Sequence, residues 1–184
     1  MTRIRYYVAA SADGYIADER NSLDWLLRFD DTAGLEGATE EFMAEVGSIV
    51  MGGETYAWLL ANAPGEWPYT GIPTWVFTHR ELPATPGADL TFIRGDVHEW
   101  VGDIREDAGE KDVWMMGGGS IAGQFADAAL LDEVILFTMP VALGGGRPLL
   151  AMRGQLKLAP TLVKEYDDGV RETRYDVAGP LLGG

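Results

Sequence analysis

One segment narrows the choice of fold more than any other: Val113-Trp114-Met115-Met116-Gly117-Gly118-Gly119-Ser120-Ile121. Four large apolar residues read as a buried strand, three glycines follow, and a helix opens at Ser120 and runs to about Ala128, with Ile121 and Phe125 on one face. A strand that passes straight into a helix through glycine belongs to α/β architecture. Without Cβ atoms, an anion can come close to the backbone there, and the unpaired N–H groups of the first helical turn point toward it. No Lys-Ser/Thr pair follows the glycines, so the segment is not a P-loop, and Gly123 only approximates the GxGxxG spacing. A tight turn without a ligand is the competing account, but a plain turn rarely needs three glycines.

A second copy of this arrangement occurs upstream. Ser48-Ile49-Val50-Met51 predicts a short buried strand, Gly52-Gly53 ends it, and a helix covers about 54–62. Two such turns at parallel strand ends would lie on the same edge of an open sheet, where ligands of these folds bind. Further strands are expected at 3–10, 74–78, 90–93 and 133–139, with a short extended piece at 15–17. Thr39 is placed to cap a helix over 40–46, with Glu40 and Glu41 in its first turn. Asp96 and Glu99 form a capping-box pattern ahead of Val97, Trp100, Val101 and Ile104, a helical apolar face that Gly109 stops. Residues 18–38 read as a long loop with at most one helical turn, and Pro64, Gly65, Pro68, Gly71 and Pro73 mark an irregular connection. Residues 155–166 and 170–177 form a hairpin around Asp167-Asp168-Gly169. Together these elements predict a mainly parallel sheet flanked by helices, with an antiparallel C-terminal edge.

Composition narrows the function. A chain of 184 residues, 47% of them apolar, supports one core, so a single domain over 1–184 is expected. The formal net charge of -15 repels phosphate backbones and anionic lipid, which argues against a nucleic-acid or membrane partner. With no cysteine and only His79 and His98, no thiolate or His-rich metal centre is expected. No apolar run approaches the roughly 20 residues of a membrane span, and Asp13-Gly14 cuts short the apolar start of the chain, so a cytoplasmic protein is expected.

Three further clusters could carry chemistry. Thr78, His79 and Arg80 follow a strand, and a hydroxyl beside a guanidinium suits a phosphate ester. Ser11 to Ala17, with Asp24 and Trp25, places carboxylates near apolar residues, where Asp13, Asp24, Asp30 and Asp31 are candidates to hold or pass a proton. Gly144-Gly145-Gly146-Arg147 frames a possible substrate mouth, with Arg147 offering charge.

The segments SADGYIA (11–17), LDWL (23–26), VMGGETY (50–56), VFTHREL (76–82) and above all 113–150 resemble the dihydrofolate reductase-like superfamily. Within it the chain is most similar to the C-terminal reductase domain of riboflavin-biosynthesis deaminase-reductases and its stand-alone bacterial relatives. The resemblance implies a three-layer α/β fold with a mostly parallel eight-stranded sheet. It also implies NADPH, or NADH, across the strand ends, a small pyrimidine- or pteridine-like heterocycle as substrate, and a homodimer. The implied cofactor-binding residues are Gly117, Gly118, Gly119, Ser120 and Ile121 at the diphosphate, Gly52, Gly53 and Thr55 in a second turn, Thr78, His79 and Arg80 at the adenosine end, and Ala10, Ile16 and Ala17 near the nicotinamide. In this superfamily the first Gly-Gly bond of the glycine run is often cis. Ser11, Asp13, Trp25, Gly145 and Arg147 are the implied substrate contacts, and Asp24 or Asp30 the implied catalytic carboxylate. The chain departs from the folate enzymes at Gly53-Glu54, where they carry a basic residue. Dihydrofolate reduction itself, or a cofactor- or ligand-binding module without turnover, are the alternative activities on this fold.

Overall fold

The computed structural model describes residues 1–180 apart from 64 and 66; Pro64 of the expected irregular connection lies outside the described residues. In chain order the elements are β1 (Ile4–Ser11), β2 (Tyr15–Ala17), α1 (Asp24–Leu27), α2 (Leu35–Ala44), β3 (Val46–Gly52), α3 (Gly53–Asn62), β4 (Thr74–Phe77), β5 (Leu90–Ile93), α4 (Val97–Ala108), β6 (Asp112–Gly117), α5 (Gly119–Asp127), β7 (Glu133–Met139), β8 (Arg147–Pro148), β9 (Leu156–Glu165) and β10 (Arg171–Pro180). Eight strands form one sheet in the order β5-β4-β3-β6-β1-β7-β10-β9. The first six of these run parallel, and β10 turns antiparallel against β7 and β9. The expected fold class, a mostly parallel eight-stranded sheet with an antiparallel C-terminal hairpin, is the one observed.

The strands are apolar on both sides because helices cover both faces. Ile4, Tyr6, Val113, Met115 and Val134 point to one face, where they meet Ile104 of α4 and Phe125 of α5. Their neighbours Trp114, Ile135, Phe137 and Met139 point to the other, toward Phe42 of α2 and Tyr56 of α3. The capping box at α4 forms as predicted: Asp96 accepts from His98 N at 2.8 Å, and Glu99 accepts from Asp96 N. Outside the main sheet, β2 and β8 pair as a separate two-stranded ribbon.

The helix expected over 40–46 begins earlier, at Leu35. Thr39 is not its cap but an interior residue, donating to Leu35 O at 3.1 Å and meeting Tyr7 Oη at 2.9 Å. Burial decides the register: Ala38 and Phe42 share the buried face, and Gly34, at φ 87°, turns the chain in place of a polar cap. Val46 and Gly47 then enter β3, where a Cβ at Gly47 would sit 2.1 Å from Ala108 O of α4. The stretch 18–38 is a loop only to residue 34, with α1 as its single turn. It is pinned by Asp18, which accepts from Arg20 N and Ser22 N at 2.8 Å, and by Thr32, which donates to Asp168 at 2.9 Å.

Candidate active site

The parallel strands β3, β4, β5 and β6 end on one side of the sheet, and a cavity of about 940 Å³ opens there. Adjacent strands are spaced by about 4.8 Å, so the order β5-β4-β3-β6-β1 stretches this cleft across roughly 19 Å. Its middle is formed by two helix starts. α3 begins at Gly52-Gly53 and α5 at Gly118-Gly119, and neither N-cap residue supplies a side-chain hydrogen bond. Gly52 to Thr55 and Gly117 to Ile121 all line the cavity, so two sets of first-turn N–H groups open on the same space.

The three glycines of the central run do different work. Gly117 has φ 128°, and the Gly117–Gly118 peptide is cis. Gly119 packs: a Cβ there would stand 1.9 Å from Pro148 O. Gly118 has space for a Cβ, which would project into ordinary contact with Thr55 Oγ1 at 3.7 Å and Ile16 Cδ1 at 3.9 Å, both from cavity-wall residues. Gly53 is held small by its neighbour, since a Cβ would lie 2.7 Å from Thr78 Oγ1. Any side chain at position 53 would therefore press on Thr78 in the loop after β4.

The two ends of the cleft differ in chemistry. Beyond β4 and β5 the wall carries Thr78, His79, Arg80, Arg94 and Gly95. Phe77 pairs with Ile93, and Thr78 N donates to Ile93 O at 3.0 Å, which sets the two loops side by side. Arg80 Nη2 donates to Gly53 O at 3.2 Å and meets Glu54 Oε1 at 3.1 Å. The rest of the wall, toward β6 and β1, is largely apolar and aromatic, with Tyr7, Ala9, Leu23, Leu26, Tyr69, Trp114 and Met116, and α3 adds Trp58. Tyr69 packs edge-on to Trp114 with centroids 5.4 Å apart. Burial raises the phenol pKa of Tyr7 and Tyr69, so both keep their protons at neutral pH. Ile16, Ala17 and Arg147, from the β2–β8 ribbon, close one side, where Arg147 Nε donates to Asn21 Oδ1. Among the described residues Glu54 is the sole carboxylate on a wall that carries three arginines and a histidine, so the cleft is locally cationic in a chain of net charge -15.

Of the residues singled out from sequence, Ile16, Ala17, Gly52, Gly53, Thr55, Thr78, His79, Arg80, Gly117, Gly118, Gly119, Ser120, Ile121 and Arg147 come together on this wall. Others lie off it. Ala10 is buried in the sheet. Ser11 donates to Asp13 at 2.6 Å, and Asp13 accepts from Leu143 N and Gly144 N at 3.0 and 2.7 Å. Led by the Ser11 bond, these interactions lower the Asp13 carboxyl to about 2 and make it the clasp between two loops. Gly145 lies against Glu19. Trp25 is buried in the core under α1 and α2. Asp24 and Asp30 are exposed, because the turn of α1 directs Trp25 inward and leaves them in solvent. Arg94, Tyr69 and Trp58 were not singled out. Arg94-Gly95 follows β5 as Thr78-His79 follows β4, a parallel that pointed to Arg94.

A sequence profile of the RibD C-terminal domain family matches residues 65–171, more than half of the chain. The chain belongs to the RibD C-terminal domain family. The protein YwjB of Bacillus subtilis is 28% identical over 166 residues, covering 90% of this chain and 92% of its own. A protein from Shewanella sp. PV-4, provisionally named a riboflavin biosynthesis protein, superposes with a TM-score of 0.83 at 26% identity, covering 96% of this chain and 99% of that one. RibD of Acinetobacter baumannii shares the fold at a TM-score of 0.69 and 15% identity; this RibD-family chain corresponds to 58% of its length.

Proposed function

We propose that this RibD-family chain is an NAD(P)H-dependent reductase of a small pyrimidine- or pteridine-like heterocycle, of the aminouracil type used in riboflavin synthesis. The observation that carries the reading is the pair of helix starts without side-chain caps, α3 and α5, opening on one cleft with cations at one end and aromatic residues at the other. The absence of a Cβ at Gly118 on the cavity wall lets a diphosphate be drawn close to the backbone N–H groups there. In this reading the backbone N–H groups that open α3 and α5 hold the diphosphate, and Thr78 and Arg80 hold the adenosine side. Ile16, Ala17, Tyr7 and Trp114 flank the redox ring and exclude water from it. When bound, the reduced nicotinamide supplies the hydride. Arg147, oriented by Asn21, offers a fixed guanidinium to a substrate oxygen or anion.

Dihydrofolate reduction is less well supported. Asp24 and Asp30 are exposed and off the wall, and Glu54 belongs to the cationic end. The test is incubation of the purified protein with NADPH and a panel of aminouracils, pterins and dihydrofolate. Oxidation of NADPH with an aminouracil or pterin, and with neither component alone, is the expected result. A protein that binds NADPH but oxidises it with no member of the panel is a binding module, and the reductase reading falls.

A further inference from the structure

Glu54 runs against the charge of the corner it occupies. It opens α3, and an acidic residue in a first helical turn is favourable in itself. Its position adds a second consequence. The carboxylate lies 3.1 Å from Arg80 Nη2, with both side chains more than half exposed to the cleft and solvent. Arg80 is tied further to Gly53 O. Arg94, one strand farther out, forms no ion pair among the described residues and faces the same space. A phosphate monoester entering this corner meets a guanidinium that is already engaged and a carboxylate that repels it. A ribose with two free hydroxyls meets an acceptor for its O–H donors.

We propose that Glu54 sets this chain's choice between NADPH and NADH: it engages Arg80 and disfavours the 2′-phosphate, leaving Arg94 as the cation that recognises that phosphate. The inference rests on the cofactor reading above and adds to it the residues that decide between the two dinucleotides.

Isothermal titration of the wild-type protein, Glu54→Gln and Arg94→Gln with NADPH and with NADH tests it. Gln at position 54 keeps the side-chain shape at an exposed helix start. As a change of one exposed charge, Glu54→Gln should tighten NADPH about fivefold and change NADH less than about twofold. Arg94→Gln should weaken NADPH about fivefold with NADH again nearly unchanged, and both effects should shrink at about 0.5 M salt, as screened charge effects do. A ratio of the two dissociation constants within about twofold of wild type in either variant overturns the assignment. If the wild type binds neither dinucleotide, the cofactor reading falls and this inference with it.

Discussion

The two ends of the parallel strands hold charge in opposite ways. At the N-terminal ends, Arg5 of β1 is buried and donates to Glu133 of β7 at 2.5 Å, while its Nη1 meets Glu45 and, at 3.3 Å, Asp112. Arg3 reaches Asp176 at 2.7 Å. Arg3 and Arg5 are each matched there by carboxylates from neighbouring segments, Glu45, Asp112, Glu133 and Asp176, so the cluster ties the start of β1 to β6, β7 and β10. At the C-terminal ends, helix N–H groups and Arg94 have no such partners among the described residues, and a cavity takes the place of the counter-charges. The same sheet thus uses buried charge for cohesion at one end and leaves helix N–H groups and Arg94 facing a cavity at the other. Stability and binding should therefore separate by position.

The largest effect is expected at the matched end. Arg5→Met leaves Glu133 buried without its partner and should cost about 3–4 kcal/mol. For a chain of this size that lowers Tm by roughly 10 °C, read by calorimetry. The dissociation constant for NADPH, measured well below the transition, should stay within about twofold, because the cluster shares no described residue with the cavity wall. Loss of binding without loss of stability would erase the distinction between the ends.

Adjacent glycines give the next test. Gly119→Ala forces a Cβ against Pro148 O and should cost about 2–3 kcal/mol as well as binding. Gly118→Ala has room for its methyl group, so stability should move by less than about 1 kcal/mol. The methyl group fills the approach to the helix N–H groups, and NADPH should weaken about tenfold. Equal stability losses in the two variants would show that the room beside Gly118 is not a ligand space.

Asp13 is expected to act through pH. Its folded pKa, about 2, lies below the ordinary 3.8, so its contribution to stability is complete above the ordinary value and disappears as pH falls through 2. The gap in Tm between wild type and Asp13→Asn should be constant near neutrality and close between about pH 4 and pH 2. A gap that does not depend on pH would mean that the clasp does not work through the carboxylate charge. The smallest effects belong to Asp24→Asn and Asp30→Asn, which should leave NADPH affinity within about twofold, since neither side chain lies on the cavity wall. A larger loss in either would place that carboxylate in the site.

What was legible in the sequence was local. The glycine run at 117–119 announces its strand and helix, and the capping box at Asp96 announces α4, because each signal lies within one turn of the element it starts. The helix at Leu35 was misplaced because Gly34, at φ 87°, opens it without a polar cap, whereas Thr39 offers a cap that burial of Phe42 overrides. The clasp made by Asp13 was not legible because its partners, Leu143 N and Gly144 N, lie 130 and 131 residues away. Arg94 has a local parallel in Thr78-His79, but its place on the cleft, like that of Tyr69, is decided by strand order. Only the arrangement β5-β4-β3-β6-β1 brings the loop after β5 and the wall beside β1 into one cleft.

Trp58 and Trp114 line that cleft, so a titration of wild-type protein with NADPH and NADH, followed by tryptophan fluorescence, tests its use most directly. Saturable quenching at one site per chain, reduced about tenfold in affinity by Gly118→Ala, is the expected result. No quenching and no heat with either dinucleotide would contradict it, leaving a RibD-family fold whose cleft serves another ligand.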